Sequence, residues 1–219
     1  MQMSCIRAVA AVRSFVALAL ATATLGACEP DHDDHDDDHS NEIISRVVLT
    51  FSPLDGGDPL TFTFDDPDGD GGVSGVSERI ELAAGAQYDL TLSFENSLVD
   101  PPEDLTSEIT AEAEDHMVFI VGDVVGPAST STTALVSQSY ADLESTYGEN
   151  AVGDDLPVGI RHTVEAMEAG EGTFRVLLRH LPPLGDEPQK TGDLPADLAA
   201  GRDLPGSVDV DVSFDLVVS

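Results

Sequence analysis

The closing stretch "SVDVDVSFDLVVS", residues 207–219, alternates in a period of two. Val208, Val210, Val212, Phe214, Leu216 and Val218 fall on one side; Ser207, Asp209, Asp211, Ser213 and Asp215 fall on the other. Successive side chains of a strand point to opposite faces, so this pattern predicts one face on a core and one in water. The same period sets Val47, Leu49 and Phe51 inward in a first strand, followed by Leu60, Phe62 and Phe64 in "LTFTF". Tyr88, Leu90, Leu92 and Phe94 do so in "YDLTLSFE", and Phe174, Val176 and Leu178 in "TFRVLLRH". "MVFIV", residues 117–121, is apolar throughout and reads as a central strand covered on both faces. "ALVSQSY" and "VGIRHTVEA" are weaker strand signals.

Gly-, Pro- and Asp-rich turns separate these runs: "SPLDGGDP", "DDPDGDGG", "VDPPED" and "LPPLGDEPQ". About eight short strands with such turns predict an all-β fold, an antiparallel β-sandwich of the immunoglobulin-like kind. One short helix is expected over "DLTSEITAEAEDH", residues 104–116, capped by Asp104, Thr106 or Ser107. Residues 185–206 show no periodicity and are expected to form a long surface excursion.

The amino terminus has a different character. Arg7 and Arg13 precede an apolar run from Phe15 to Leu25 that is too short to span a bilayer, and small residues close it. Leu25-Gly26-Ala27-Cys28 resembles a bacterial lipobox. The reading is a signal peptide over residues 1–27, cleaved so that Cys28 carries a diacylglycerol anchor. Cleavage would remove Cys5 and leave Cys28 blocked, so no disulfide is expected. Glu29 follows in place of the aspartate that marks inner-membrane retention, which points to the outer membrane.

Loss of Arg7 and Arg13 takes the net charge from −33 to −35. A surface this acidic repels phosphate backbones and excludes a nucleic-acid role. Residues 28–42, "CEPDHDDHDDDHSNE", hold no lysine or arginine and read as a solvated tether, with the folded domain over 43–219.

Three places carry candidate chemistry. In the tether, His32, His35 and His39 stand among six aspartates. They can wrap an exchangeable transition-metal ion, or the segment is a hydrophilic spacer. "DPDGDGG" begins as a calcium loop, with Asp66, Asp68 and Asp70 sending oxygens to one point. The bidentate glutamate position is Ser77, so an EF-hand is excluded; a Ca2+-bound β-loop and an acidic hairpin turn remain as the two readings. The third place is the domain histidines. A helix through "EAEDH" would set Glu112 and His116 on one face, and His180 continues the core-facing row of its strand. His162 lies between Ile160 and Val164 on an apolar face. These are hydrogen-bonded core residues, or they converge on a metal with Glu112 or Asp115. The sequence has no G-x-S-x-G elbow, no H-E-x-x-H and no phosphate-cradling glycine loop, so an enzyme is not expected.

The segments "LSFENSLVDPPEDLTSEITAEAEDHMVF", "LPVGIRHTV", "VLLRHLPP" and "VDVDVSFDLVV" together are similar to a group of small uncharacterised lipoproteins of Gram-negative bacteria. Members of that group accompany TonB-dependent outer-membrane receptors. The resemblance covers nearly the whole domain and implies that "EDH" at Glu114, Asp115 and His116 and "RH" at Arg179 and His180 form a functional pair of histidines. It also implies a receptor partner. The expectation is therefore an outer-membrane-anchored lipoprotein that binds a divalent metal, Zn2+ foremost, and assists receptor uptake. The other reading is a surface structural or adhesion module stiffened by Ca2+. Metal affinity is expected to fall as pH drops below about 6.5, the ordinary histidine value.

Overall fold

The computed structural model describes residues 43–69, 75–131, 134–150 and 153–219. Cys28, the tether histidines His32, His35 and His39, and Asp70 of the acidic turn lie outside the described residues.

The elements in chain order are β1 (Arg46–Pro53), β2 (Leu60–Asp65), β3 (Val76–Ser77), β4 (Ile80–Leu82), β5 (Gln87–Asn96) and β6 (Glu103–Asp104). Then come α1 (Thr106–Ala111), β7 (His116–Gly122), β8 (Val124–Gly126), β9 (Ser129–Thr130) and β10 (Val136–Tyr140). A single 3-10 turn at Glu144–Thr146 leads to β11 (Arg161–Ala166), β12 (Gly170–His180), α2 (Leu194–Ala199) and β13 (Ser207–Val218). The described residues are thus mostly strand, in the all-β class. Eight strands have five residues or more, and the other five, of two or three residues, extend the sheet edges beyond the expected count.

Two sheets form. The larger runs β3-β2-β1-β5-β11-β10-β8-β9, with β6 also on β5, and the smaller runs β4-β13-β12-β7. Pairing is antiparallel except at two short edges, β8 on β10 and β4 on β13, which are parallel. The alternation places its residues as expected in most strands: Val47, Leu49, Phe51, Tyr88, Leu90, Leu92, Phe94, Phe174, Val176, Leu178, Phe214 and Leu216 all join one buried cluster. That cluster draws on both sheets. Phe51 of β1 meets Tyr88 of β5 at 5.9 Å and Phe174 of β12 at 6.0 Å, ring centre to ring centre, both edge to face. Each such ring removed from water contributes about 1.5–3 kcal/mol, so the cross-sheet aromatic contact is a main stabiliser.

β7 departs from expectation in one respect. It is covered on both faces, Val118 and Ile120 in the main core and Met117 and Phe119 in a second cluster with Leu177, Leu181 and Leu194. Yet it is an edge strand, paired only with β12. Its free edge is engaged by other groups instead: Val118 N–H donates to Val158 O of an irregular segment at 2.8 Å, and the Tyr140 hydroxyl of β10 donates to Val118 O at 3.1 Å. Apolar composition reports that both faces are dry, not that both edges are paired.

The second cluster also corrects the expected surface excursion. Leu194 of α2 is buried, and Leu198 packs beside it on the outer face of β7 and β12. The helix is six residues long with proline in its first turn, too short for a visible period.

Candidate metal centre

The expected helix over 104–116 ends early, and its end builds the site. α1 stops at Ala111, with Leu105, Ile109 and Ala113 buried beneath it. Asp104 accepts Thr106 N–H at 3.0 Å and Ser107 Oγ–H at 2.6 Å, which satisfies donors at the helix start. At the other end Asp115 N–H donates to Glu112 O at 2.9 Å, a tight turn that releases the chain into β7 at His116. Glu112 and His116 therefore meet across a turn and not along a helical face, because the apolar run behind His116 is held as a strand. His116 Nδ1 lies 3.1 Å from Glu112 O. A carbonyl only accepts, so Nδ1 carries the proton and Nε2 keeps its lone pair.

His180 reaches the same point from β12. It is the direct cross-strand partner of His116, two residue pairs beyond Leu178↔Val118 and so in phase with the core-facing rows. Directly opposed residues on one face approach within contact, and here the rings stack with centres 4.7 Å apart and planes 7° apart. One donor atom each from Glu112, His116 and His180 lies within 4.8 Å of the others. Glu112 is exposed, His116 buried and His180 half-buried, so the group has a dry side and an open side. Burial pushes His116 down to about 4, partly offset by its bond to Glu112 O, while nearby His180 and Lys190 add to the lowering. A neutral imidazole with a free nitrogen is the form a metal requires.

Two backbone features hold His180 in place. Leu178 pairs with Val210 but Arg179 pairs with Val208, so Asp209 is an extra residue in β13, a β-bulge. The bulge turns Val208 onto the face of Arg179 and sets Ser207 opposite His180. Val208 is consequently 48% exposed, against the inward position its alternation predicts. Asp209 becomes half-buried, its carboxyl raised by burial and lowered in part by the nearby His180. The Arg179 guanidinium donates to Leu204 O at 2.6 Å and to Pro205 O and Gly206 O, clamping the turn before β13. Gly206 sits at φ +72° against the His180 carbonyl oxygen, where a Cβ would collide. Asp209, Arg179 and Gly206 were not marked as site residues by the sequence, because the bulge depends on register across strands.

The remaining candidates are placed elsewhere. Asp115 is not one of the three converging groups; it lines an adjoining cavity of about 110 Å³ with Glu144 and Lys190. Its carboxyl is raised, first by burial. Asp66 is buried and Asp68 exposed, and among the described residues neither belongs to a group of three possible ligands. His162 is fully buried on the inner face of β11, 2.9 Å from the Gln138 side-chain amide through Nδ1 and 2.8 Å from Gly159 O through Nε2. Nε2 must donate to the carbonyl. A neutral ring then needs a donor at Nδ1, which the Gln138 amide supplies when its NH2 faces the ring; that orientation also satisfies the otherwise orphaned amide nitrogen. His162 is thus a hydrogen-bonded core residue, pushed down to about 4 by burial. No family model, no curated protein and no solved structure matches this chain.

Proposed function

We propose that the chain is a lipid-anchored envelope protein that captures zinc at Glu112, His116 and His180. The observation that carries this reading is the stacked cross-strand histidine pair with a carboxylate beside it, three donor atoms within 4.8 Å. Two imidazole nitrogens and one carboxylate oxygen suit Zn2+, which holds nitrogen ligands at about 2.0–2.1 Å in a tetrahedron. Ligand atoms in such a tetrahedron lie about 3.3 Å apart, so capture requires the two stacked rings to turn their nitrogens toward one point and Glu112 to close on them. The exposed side of the group, at Glu112, would leave a bound ion open to exchange, which suits a cargo.

The wider reading places this site on an immunoglobulin-like β-sandwich held at the outer membrane through lipid on Cys28. His32, His35 and His39 gather ions along the tether, and a TonB-dependent receptor takes them up. Support for this part comes from the lipobox pattern, the tether composition and the resemblance of the domain segments to receptor-associated lipoproteins. No catalytic step is assigned to the protein.

Calorimetric titration of the purified protein with zinc at neutral pH tests the core of the proposal. One tight site is expected beside weak, exchangeable binding by the tether, with His116→Ala or His180→Ala weakening the tight site at least 100-fold, Glu112→Gln about tenfold, and Asp115→Asn little. Absence of heat, or binding undiminished in both histidine variants, rejects it. Because burial keeps His116 neutral down to about 4, proton competition at that ligand begins well below the 6.5 of a free imidazole.

A further inference from the structure

The cavity next to the histidine pair has a construction of its own. Its floor is the buried ion pair of Lys190 and Glu144, with Nζ and Oε1 2.8 Å apart. Lys190 also donates to Ala113 O at 2.6 Å, tying the segment before α2 to the end of α1. Asp115 and Glu114 stand in the wall with the apolar Leu156, and exposed Pro183 and Pro188 form the mouth.

Charge and hydrogen bonding both leave this cavity short of a cation. Glu144 and Asp115 line it against the one ammonium of Lys190, with Glu114 beside them. Lys190 is committed to Glu144 Oε1 and a carbonyl, while Glu144 Oε2, on a side chain only 3% exposed, has no donor among the described residues. A buried carboxylate oxygen calls for an N–H or O–H partner. About 110 Å³ is less than the roughly 150 Å³ that admits a benzene ring, so only a few heavy atoms fit. The carboxylates here do not converge as metal ligands; among the described residues only the Glu112 group does.

We propose that this cavity binds a small primary ammonium ion, its N–H groups on Glu144 and Asp115 and a short alkyl tail on Leu156 and the two prolines. The site is independent of the zinc reading and shares no ligand with it.

Ethylammonium chloride, titrated into the full chain with chelator present and followed by amide NMR, tests the proposal, with ethanol as neutral isostere and sodium chloride at matched ionic strength. Saturable shifts at Glu114, Asp115, Glu144 and Lys190 are expected with ethylammonium alone. Glu144→Gln should weaken them at least tenfold. Asp115→Asn, which leaves the Lys190–Glu144 pair intact, should weaken them severalfold and decides the matter if the first variant does not fold. Equal response to ethanol or to sodium chloride, no saturable response, or an unchanged response in Asp115→Asn overturns the proposal. None of these results bears on zinc, which is read from His116 and His180.

Discussion

His116 and His162 are the same side chain at nearly the same depth, each pushed down to about 4 by burial, yet they are built for different ends. His162 sits inside the larger sheet with both nitrogens occupied by Gln138 and Gly159. Gly159 is itself fixed, since Asp142 accepts its N–H at 2.9 Å and those of Ile160 and Arg161 beside it. His116 stands at the end of the smaller sheet, with Nδ1 on a carbonyl, Nε2 left with its lone pair, and a second imidazole and a carboxylate beside the ring. The difference teaches that burial and neutrality do not mark a ligand. A free nitrogen with converging neighbours does.

The largest effect expected of this pair is acid sensitivity. Both imidazoles are held below the ordinary 6.5, so between about 4 and 6.5 the unfolded chain binds more protons than the folded one. Stability is then complete above about 6.5 and is lost as pH falls towards 4. Each ring contributes on the order of 3 kcal/mol to that loss. Asp115 and Asp209, raised by burial, act in the opposite sense and offset part of it. Urea unfolding at pH 7 and pH 4.5 measures the difference, and equal stabilities would remove the premise that both rings are neutral. Saturating zinc should steepen the acid loss through its own ligands and not through His162, which has no free nitrogen to offer.

Replacing His162 comes next in size. His162→Leu preserves volume but leaves the Gly159 carbonyl and the Gln138 amide without partners, at a cost of about 3 kcal/mol. Zinc affinity should be unchanged and the acid slope roughly halved. A loss of zinc binding in a folded His162→Leu variant would break the division between the two histidines.

Much of this division was hidden in the sequence, and the reason is physical. Alternation is a local signal, so Leu49, Leu90 and Phe174 were legible as core from their own neighbours. His180 was also legible, since it continues the row of Val176 and Leu178. The convergence of His116 with His180 depends on cross-strand register, which no single strand carries. The tight turn after α1 was masked by the helical spacing of Glu112 and His116. Nothing in the local sequence marks Lys190 and Glu144 as a buried pair, because their contact joins segments far apart in the chain.

Gly206 sharpens the comparison from the backbone side. His162 rests on hydrogen bonds, whereas His180 rests on a turn that only glycine can make. Gly206→Ala adds a Cβ against the His180 carbonyl at a positive φ, and should cost about 1–3 kcal/mol. The shift falls on β12 at its last residue, so zinc affinity should drop severalfold while the environment of His162 is undisturbed. Chemical shifts of the two rings in the variant separate these outcomes; movement at both would mean that the two sites are coupled through the core.

The smallest effect tests the bulge itself. If Asp209 is the extra residue, Val208 lies on the solvent side with Arg179 and Val210 on the core side. Val208→Ser should then change stability by less than about 0.5 kcal/mol, as exposed substitutions do. Val210→Ser, two residues on, should cost severalfold more, because it puts a hydroxyl into the main core. Uninterrupted alternation predicts equal costs for the two. It would also set a valine opposite His180, where the bulge sets Ser207, and the imidazole would then face an apolar neighbour on that side. A near-silent Val208→Ser beside a damaging Val210→Ser therefore ties the polar surroundings of His180 to one inserted residue in β13.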